Sequence, residues 1–197
     1  MKSPLTPQDE LDFYLVEAGL KPAAYTHTHL RFQKSGKVSK KDKSRAQDIY
    51  DKIASYEILL AHLEENLFPG KLTISFIGAN SKRRLNRLIR AHFSCDYREI
   101  GLSLGYPRNA VFSNPKTFKE DKRCNEYNDL EESLKKSGFV FPTFFYFLNH
   151  TPGNFSFSNG IFRISKSSEA QARVYQRYVR RYNPDLARRL EEHIDFN

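Results

Sequence analysis

Tryptophan is absent from this chain, methionine occurs once and cysteine twice. Cys95 and Cys124 make neither a Cys-x-x-Cys pair nor a disulfide framework, so the expectation is reduced thiols in a cytoplasmic protein. The opening residues Met1-Lys2-Ser3-Pro4 form no apolar signal region. No apolar run reaches the roughly 20 residues that a helix needs to span a bilayer, so no membrane partner is expected. The longest run, Phe139 to Leu148, is interrupted by Pro142 and reads as a buried strand. Low-complexity tracts and fixed-period repeats are missing too. There is no Walker loop, no Gly-x-Gly-x-x-Gly after a strand, no His-Glu-x-x-His and no Gly-x-Ser-x-Gly elbow. Cys95 or Cys124 with a distant His could form a nucleophile pair, but any chain with two Cys and six His meets that condition. No catalytic residue, cofactor or metal is predicted.

What the chain does have is sorted positive charge. Residues 31 to 45 carry seven Lys/Arg against one Asp, residues 82 to 98 carry six against one, and residues 163 to 189 carry eight against two acids. These segments hold a net +17 within a chain of net +9, which leaves −8 for everything else. Segregated basic stretches on an acidic body point to a polyanion-binding surface.

At 197 residues the chain is long enough for a real core, and a single domain over 1–197 is expected. Thr6-Pro7 followed by acids starts a first helix, with Leu11, Leu15 and Ala18 at helical spacing and Gly19 as its stop. Residues 24 to 32 read as extended. Residues 33 to 44 are polar, basic and Gly-containing, which predicts a mobile basic loop. Ile49, Ile53, Tyr56, Leu60, Leu63 and Leu67 then predict one long helix over 44–66. Leu72 to Ile77 reads as a strand, and Ser81 caps a helix over 82–93 with Leu85, Leu88 and Ile89 as its apolar face. A short helix over 99–104, a helix over 127–136, strands over 139–148 and 161–164, and two closing helices over 168–182 and 184–194 complete the reading. The predicted fold class is α+β or small α/β, a few-stranded sheet packed by several helices.

The second basic segment carries the clearest candidate site. Arg83, Arg87 and Arg90 are spaced i, i+4, i+7 and share a helix face, with Lys82 and Arg84 beside them. A guanidinium binds phosphate in bidentate fashion. A helix stabilised by its own ion pairs would alternate signs, and this one is short of acids. Lys34, Lys37, Lys40, Lys41, Lys43 and Arg45 form the first candidate cluster, able to order on binding. Arg173, Arg177, Arg180 and Arg181 form the third, with Val174, Tyr178 and Tyr182 expected on the core side of their helix. Ile100-Gly101, Leu104-Gly105 and Val111 have the spacing of a helix-turn-helix led by Arg108 and Asn109. Pro115 follows too closely to leave that second helix a normal length. His27 and His29 point to one side of a strand, but no third metal ligand lies near them in sequence. Glu64-Glu65 and Glu131-Glu132 read as exposed helix acids.

Glu99-Ile100-Gly101 through Leu104-Gly105-Tyr106-Pro107 resembles a motif of an uncharacterised, largely archaeal domain-of-unknown-function family. In that family Leu-Gly-Tyr-Pro is followed by one residue and a Cys-Cys pair. A later His-x-Pro-Cys precedes a helix bearing a Ser and a Tyr. Here His150-Thr151-Pro152 and Ser168-Glu169 to Tyr175 keep the order across about residues 81 to 195, whereas Asn109-Ala110 and Gly153 stand at the cysteine positions. The resemblance implies a shared fold and a metal-free member, and it transfers no functional residue.

These readings converge on a non-catalytic nucleic-acid-binding protein. RNA is the expected partner, with a ribosomal particle as one host. The alternatives are an enzyme acting on a phosphorylated or nucleotide substrate and a module docking an acidic protein. Arginines converging on a deep pocket beside His92, Cys95 or His150 would favour the enzyme. The oligomeric state is not encoded in any feature of the sequence.

Overall fold

Thr6 accepts a hydrogen bond from the Asp9 amide at 3.1 Å and Pro7 occupies the first helical position, so the chain turns helical where the sequence predicts. The structure is a computed structural model that describes residues 3–33, 36–68, 70–106, 108, 111 and 166–194. These residues fall in two compact units, Met1–Gly105 and Tyr106–Asn197. The fold is α+β, with six helices and one three-stranded antiparallel sheet among the described residues.

The first unit runs α1 (Pro7–Glu17), β1 (Ala23–Arg31), α2 (Lys40–Ala54), β2 (Leu59–Phe68), β3 (Lys71–Ala79), α3 (Lys82–Phe93) and α4 (Tyr97–Ser103). The strand order is β1-β3-β2, so the last strand in sequence is the central one. Register sets Ala24, Thr26, Thr28 and Leu30 opposite Gly78, Phe76, Ile74 and Leu72. Because side chains alternate across a strand, these residues line one sheet face, and Tyr25, His27 and His29 line the other with Ile77, Ser75 and Thr73.

The first face carries the core. Leu5, Phe13, Val16, Ala24, Ile49, Ile53 and Phe76 cluster there, with Tyr56, Ile58, Leu60 and Ile74 packed around them. Burying each large side chain contributes about 1.5–3 kcal/mol. Helix α1 approaches closely because position 78 is glycine: a Cβ there would lie 2.6 Å from Ile58 Cδ1 and 2.9 Å from the Phe13 ring. Lys21 is fully buried at the α1–β1 turn, where its Nζ meets Asp12 Oδ1 at 2.5 Å. The pair offsets the cost of desolvating the ammonium group, and removing one partner of such a pair typically costs about 3–5 kcal/mol.

Two expectations are corrected here. The long helix predicted over 44–66 ends at Ala54, where the Ser55 side chain bonds the Lys52 carbonyl at 2.6 Å, and β2 begins at Leu59. Pairing with β3 captures a segment whose leucines also satisfy a helical period. Glu64 and Glu65 therefore sit on opposite faces of a strand rather than together on a helix. The basic loop predicted over 33–44 is shorter: Ser39 accepts from the Asp42 amide at 3.0 Å and Lys40 already starts α2.

The second unit contains α5 (Lys166–Tyr182) and α6 (Pro184–Ile194), which pack against each other. Asn183 bridges them, its side chain accepting from the Leu186 amide at 3.1 Å. Tyr175, Val179, Leu186, Ala187 and Leu190 are buried, whereas Val174 and Tyr182 are exposed. This corrects the predicted stripe of Val174, Tyr178 and Tyr182: the buried side of α5 is centred on Tyr175 and Val179 instead. The predicted helix over 127–136, the strands over 139–148 and 161–164, the Glu131-Glu132 pair, Lys34, Asn109, Cys124 and His150 lie outside the described residues.

Candidate functional site

Helix α3 is capped by Ser81, which accepts from the Arg84 amide at 3.4 Å, and its first turn contains no acid. Leu88, Ala91 and His92 are its buried side. Arg83, Arg87 and Arg90 fall together on the other side, as their spacing predicts, and line an open cleft of about 450 Å³ with Ser94 and Glu99. The far wall comes from α4. Asp96 caps that helix by accepting from the Glu99 amide at 3.0 Å, which turns Glu99 toward α3. Arg87 grips Glu99 through Nε and Nη2, the latter at 3.1 Å to Oε2, and this raises the guanidinium pKa above its ordinary value.

Arg83 and Arg90 flank that pair with no acidic partner among the described residues. Arg90 Nε only meets the Asn86 carbonyl, at 3.3 Å, and Arg84 reaches Asn80 Oδ1 at 2.7 Å. The cleft can therefore hold an anion at either side of a fixed ion pair. Neither His92 nor Cys95 lines this cleft. His92 turns its ring inward to Glu65 Oε2 at 2.9 Å, and Cys95 is exposed.

The other two basic segments are placed differently. Lys37, Lys40, Lys41, Lys43 and Arg45 are all exposed at and before the start of α2. Helix α2 buries Ile49 and Ile53 on the core face of the sheet, whereas α3 meets Tyr25 and Glu65 on the opposite face. The first two basic segments thus lie on opposite sides of one sheet. In the second unit, Arg180 is held by Glu191 at 2.7 Å and Arg181 lies over the Tyr182 ring at 5.2 Å. Arg177 bonds the Arg173 carbonyl at 3.3 Å. Arg188 and Arg189 pair with Asp185, and Arg188 also with Glu192.

The sheet face that α3 packs against is polar. The Tyr25 hydroxyl is 2.8 Å from Ser75 Oγ, His29 Nδ1 is 3.0 Å from Thr73 Oγ1, and the rings of His27 and His29 stand edge to face with centroids 5.0 Å apart. Burial pushes the Tyr25 pKa up to about 12, and the Glu65 charge adds to the rise. Burial lowers the pKa of His27, and the neighbouring His29 lowers it further. His29 is lowered by burial, then by Lys71 and Arg31. Sequence spacing places His27 and His29 on one face, as expected. It missed His92 and Glu65 on that same face, because β2 read as helix. Among the described residues no group of three or more His, Cys, Asp or Glu is arranged to hold a metal ion, and no helix is long and apolar enough to cross a membrane.

A scan against protein-family models, a search of curated proteins and a search of solved structures each found no match to this chain.

Proposed function

We propose that this protein binds RNA along its phosphate backbone, without catalysis, and that α3 is the contact surface. The observation that carries the reading is the pair of exposed arginines, Arg83 and Arg90, lining an open cleft with no acidic partner among the described residues. Lys82, Arg83 and Arg84 crowd the positive end of the α3 dipole, where each cation typically costs about 0.3–1 kcal/mol. A placement that works against the helix is the kind found where function overrides local stability. Arginine suits the role because its fork matches two phosphate oxygens. A cytoplasmic ribosomal particle is one host this reading fits. The openness of the cleft and the inward turn of His92 support binding over the enzyme alternative.

The test is fluorescence anisotropy with a labelled RNA duplex across a salt series. Affinity should fall steeply with salt. In Arg83→Gln/Arg90→Gln the slope of log K against log salt should shrink by about 1.8, the contribution of two duplex phosphates. A flat salt response in the wild type, or an unchanged slope in the variant, would overturn the reading.

A further inference from the structure

On the core face, α2 and the edge strand β2 diverge and leave a groove of about 320 Å³, at the lower end of the size range of ligand pockets. Its floor is apolar: Leu30, Ala46 and Phe76 are buried there and Ile74 partly so. Its walls are polar. Lys43, Gln47 and Tyr50 recur at i, i+4, i+7 along α2, and His62 and Glu64 are alternate residues of β2, opposite Phe76 and Ile74. Tyr50 is 39 % exposed although its helix neighbour Ile49 is in the core, and its ring stands perpendicular to His62 with centroids 6.4 Å apart.

The polar atoms on these walls are of two kinds. Lys43 is a cation with no ion-pair partner among the described residues, and exposed Lys40 and Lys41 continue the positive track past it. Glu64 is a carboxylate acceptor with no ion-pair partner among the described residues. Gln47 spends its amide N–H on Asp51 at 2.8 Å, which leaves its carbonyl to accept. An apolar slot with an exposed ring, a cation on the α2 wall and a carboxylate acceptor on the β2 wall complements a planar base that carries a phosphate on one side and an N–H donor on the other. The lysines beyond Lys43 favour a strand over a free nucleotide, because they offer charge to further phosphates.

We propose that this groove takes one unpaired, amino-bearing nucleobase of a single-stranded RNA segment, stacked on Tyr50, with Lys43 at its phosphate and Glu64 at its exocyclic amino group. The proposal deepens the RNA-binding reading and rests on it. It assigns single-strand recognition to the sheet face opposite the α3 cleft.

Labelled oligocytidine and oligouridine hexamers differ in the amino group that Glu64 would accept, and a labelled RNA duplex offers no unpaired base. Wild type should bind oligocytidine about tenfold or more tighter than oligouridine. Tyr50→Ala should weaken oligocytidine binding by about tenfold and leave the duplex unchanged. Glu64→Gln should lose the preference for cytidine. Both side chains are exposed, and circular dichroism would confirm folded variants. Equal affinity for the two hexamers, or an equal loss on hexamer and duplex in Tyr50→Ala, would overturn the groove while leaving duplex binding intact. Failure of the wild type to bind any of the three probes would overturn the RNA-binding reading itself, and the groove with it.

Discussion

His27 shows what a single side chain contributes to the pH response. Its folded pKa lies below the ordinary 6.5, because burial and the adjacent His29 disfavour the charged ring. The unfolded chain therefore takes up a proton more readily than the folded one. Stability is complete above about 6.5 and declines as the pH falls from there toward the depressed folded pKa. Thermal melts at pH 7 and pH 5 should show a larger drop in Tm for the wild type than for His27→Gln. Parallel drops would mean that the sheet does not disfavour the charged ring. The alternation of Tyr25, His27 and His29 was readable in the sequence, since strand period alone decides it. The burial of Lys21 was not. It depends on Asp12 arriving from α1, and nothing at the turn itself marks a lysine for the interior.

Elements whose boundaries are set by local chemistry were legible. Thr6, Ser81 and Pro184 open their helices at the predicted positions, because a cap or a proline acts on its own neighbours. Strand β2 was not. Leu59 to Phe68 contains no β-branched residue, and its leucines satisfy a helical period as well as an extended one. Only β3, with Thr73, Ile74 and Ile77 opposite Glu65, Glu64 and Ala61, selects the strand. The groove beside β2 was hidden by the same misreading, since Tyr50 and His62 face each other only once the helix ends at Ala54. Helix α1 depends on the sheet in turn. Gly78→Ala would drive a methyl group into Phe13 and Ile58, and chemical denaturation should show a loss of about 1–3 kcal/mol with the m-value unchanged. A neutral result would mean that α1 shifts freely over the sheet.

At the level of the whole molecule, the sorting of charge was legible but its availability was not. Glu99 neutralises Arg87 from 12 positions away and Glu191 neutralises Arg180 from 11 positions away, separations that no helix-face argument detects. The second and third candidate clusters hold four arginines each, and these equal counts therefore conceal unequal binding capacity. Arg180→Ala, which removes a cation already committed to Glu191, should change RNA affinity by less than about twofold, whereas Arg83→Ala should weaken it severalfold in the same anisotropy assay. Equal losses would show that ion pairing in α5 and α6 does not withhold charge from the ligand. The opposed placement of the first two segments was equally hidden, because it follows from the β1–α2–β2 crossing and not from composition. That crossing also bears on biosynthesis. The strand between β1 and β2 is the last of the three to be made, so β1 emerges from the ribosome without its neighbour. Tyr25 must wait for Ser75, 50 positions later, and His29 for Thr73, 44 positions later. Until then the nascent chain holds an amphipathic helix and an unsatisfied strand edge side by side. The interval is set by translation speed rather than by any barrier in the finished protein.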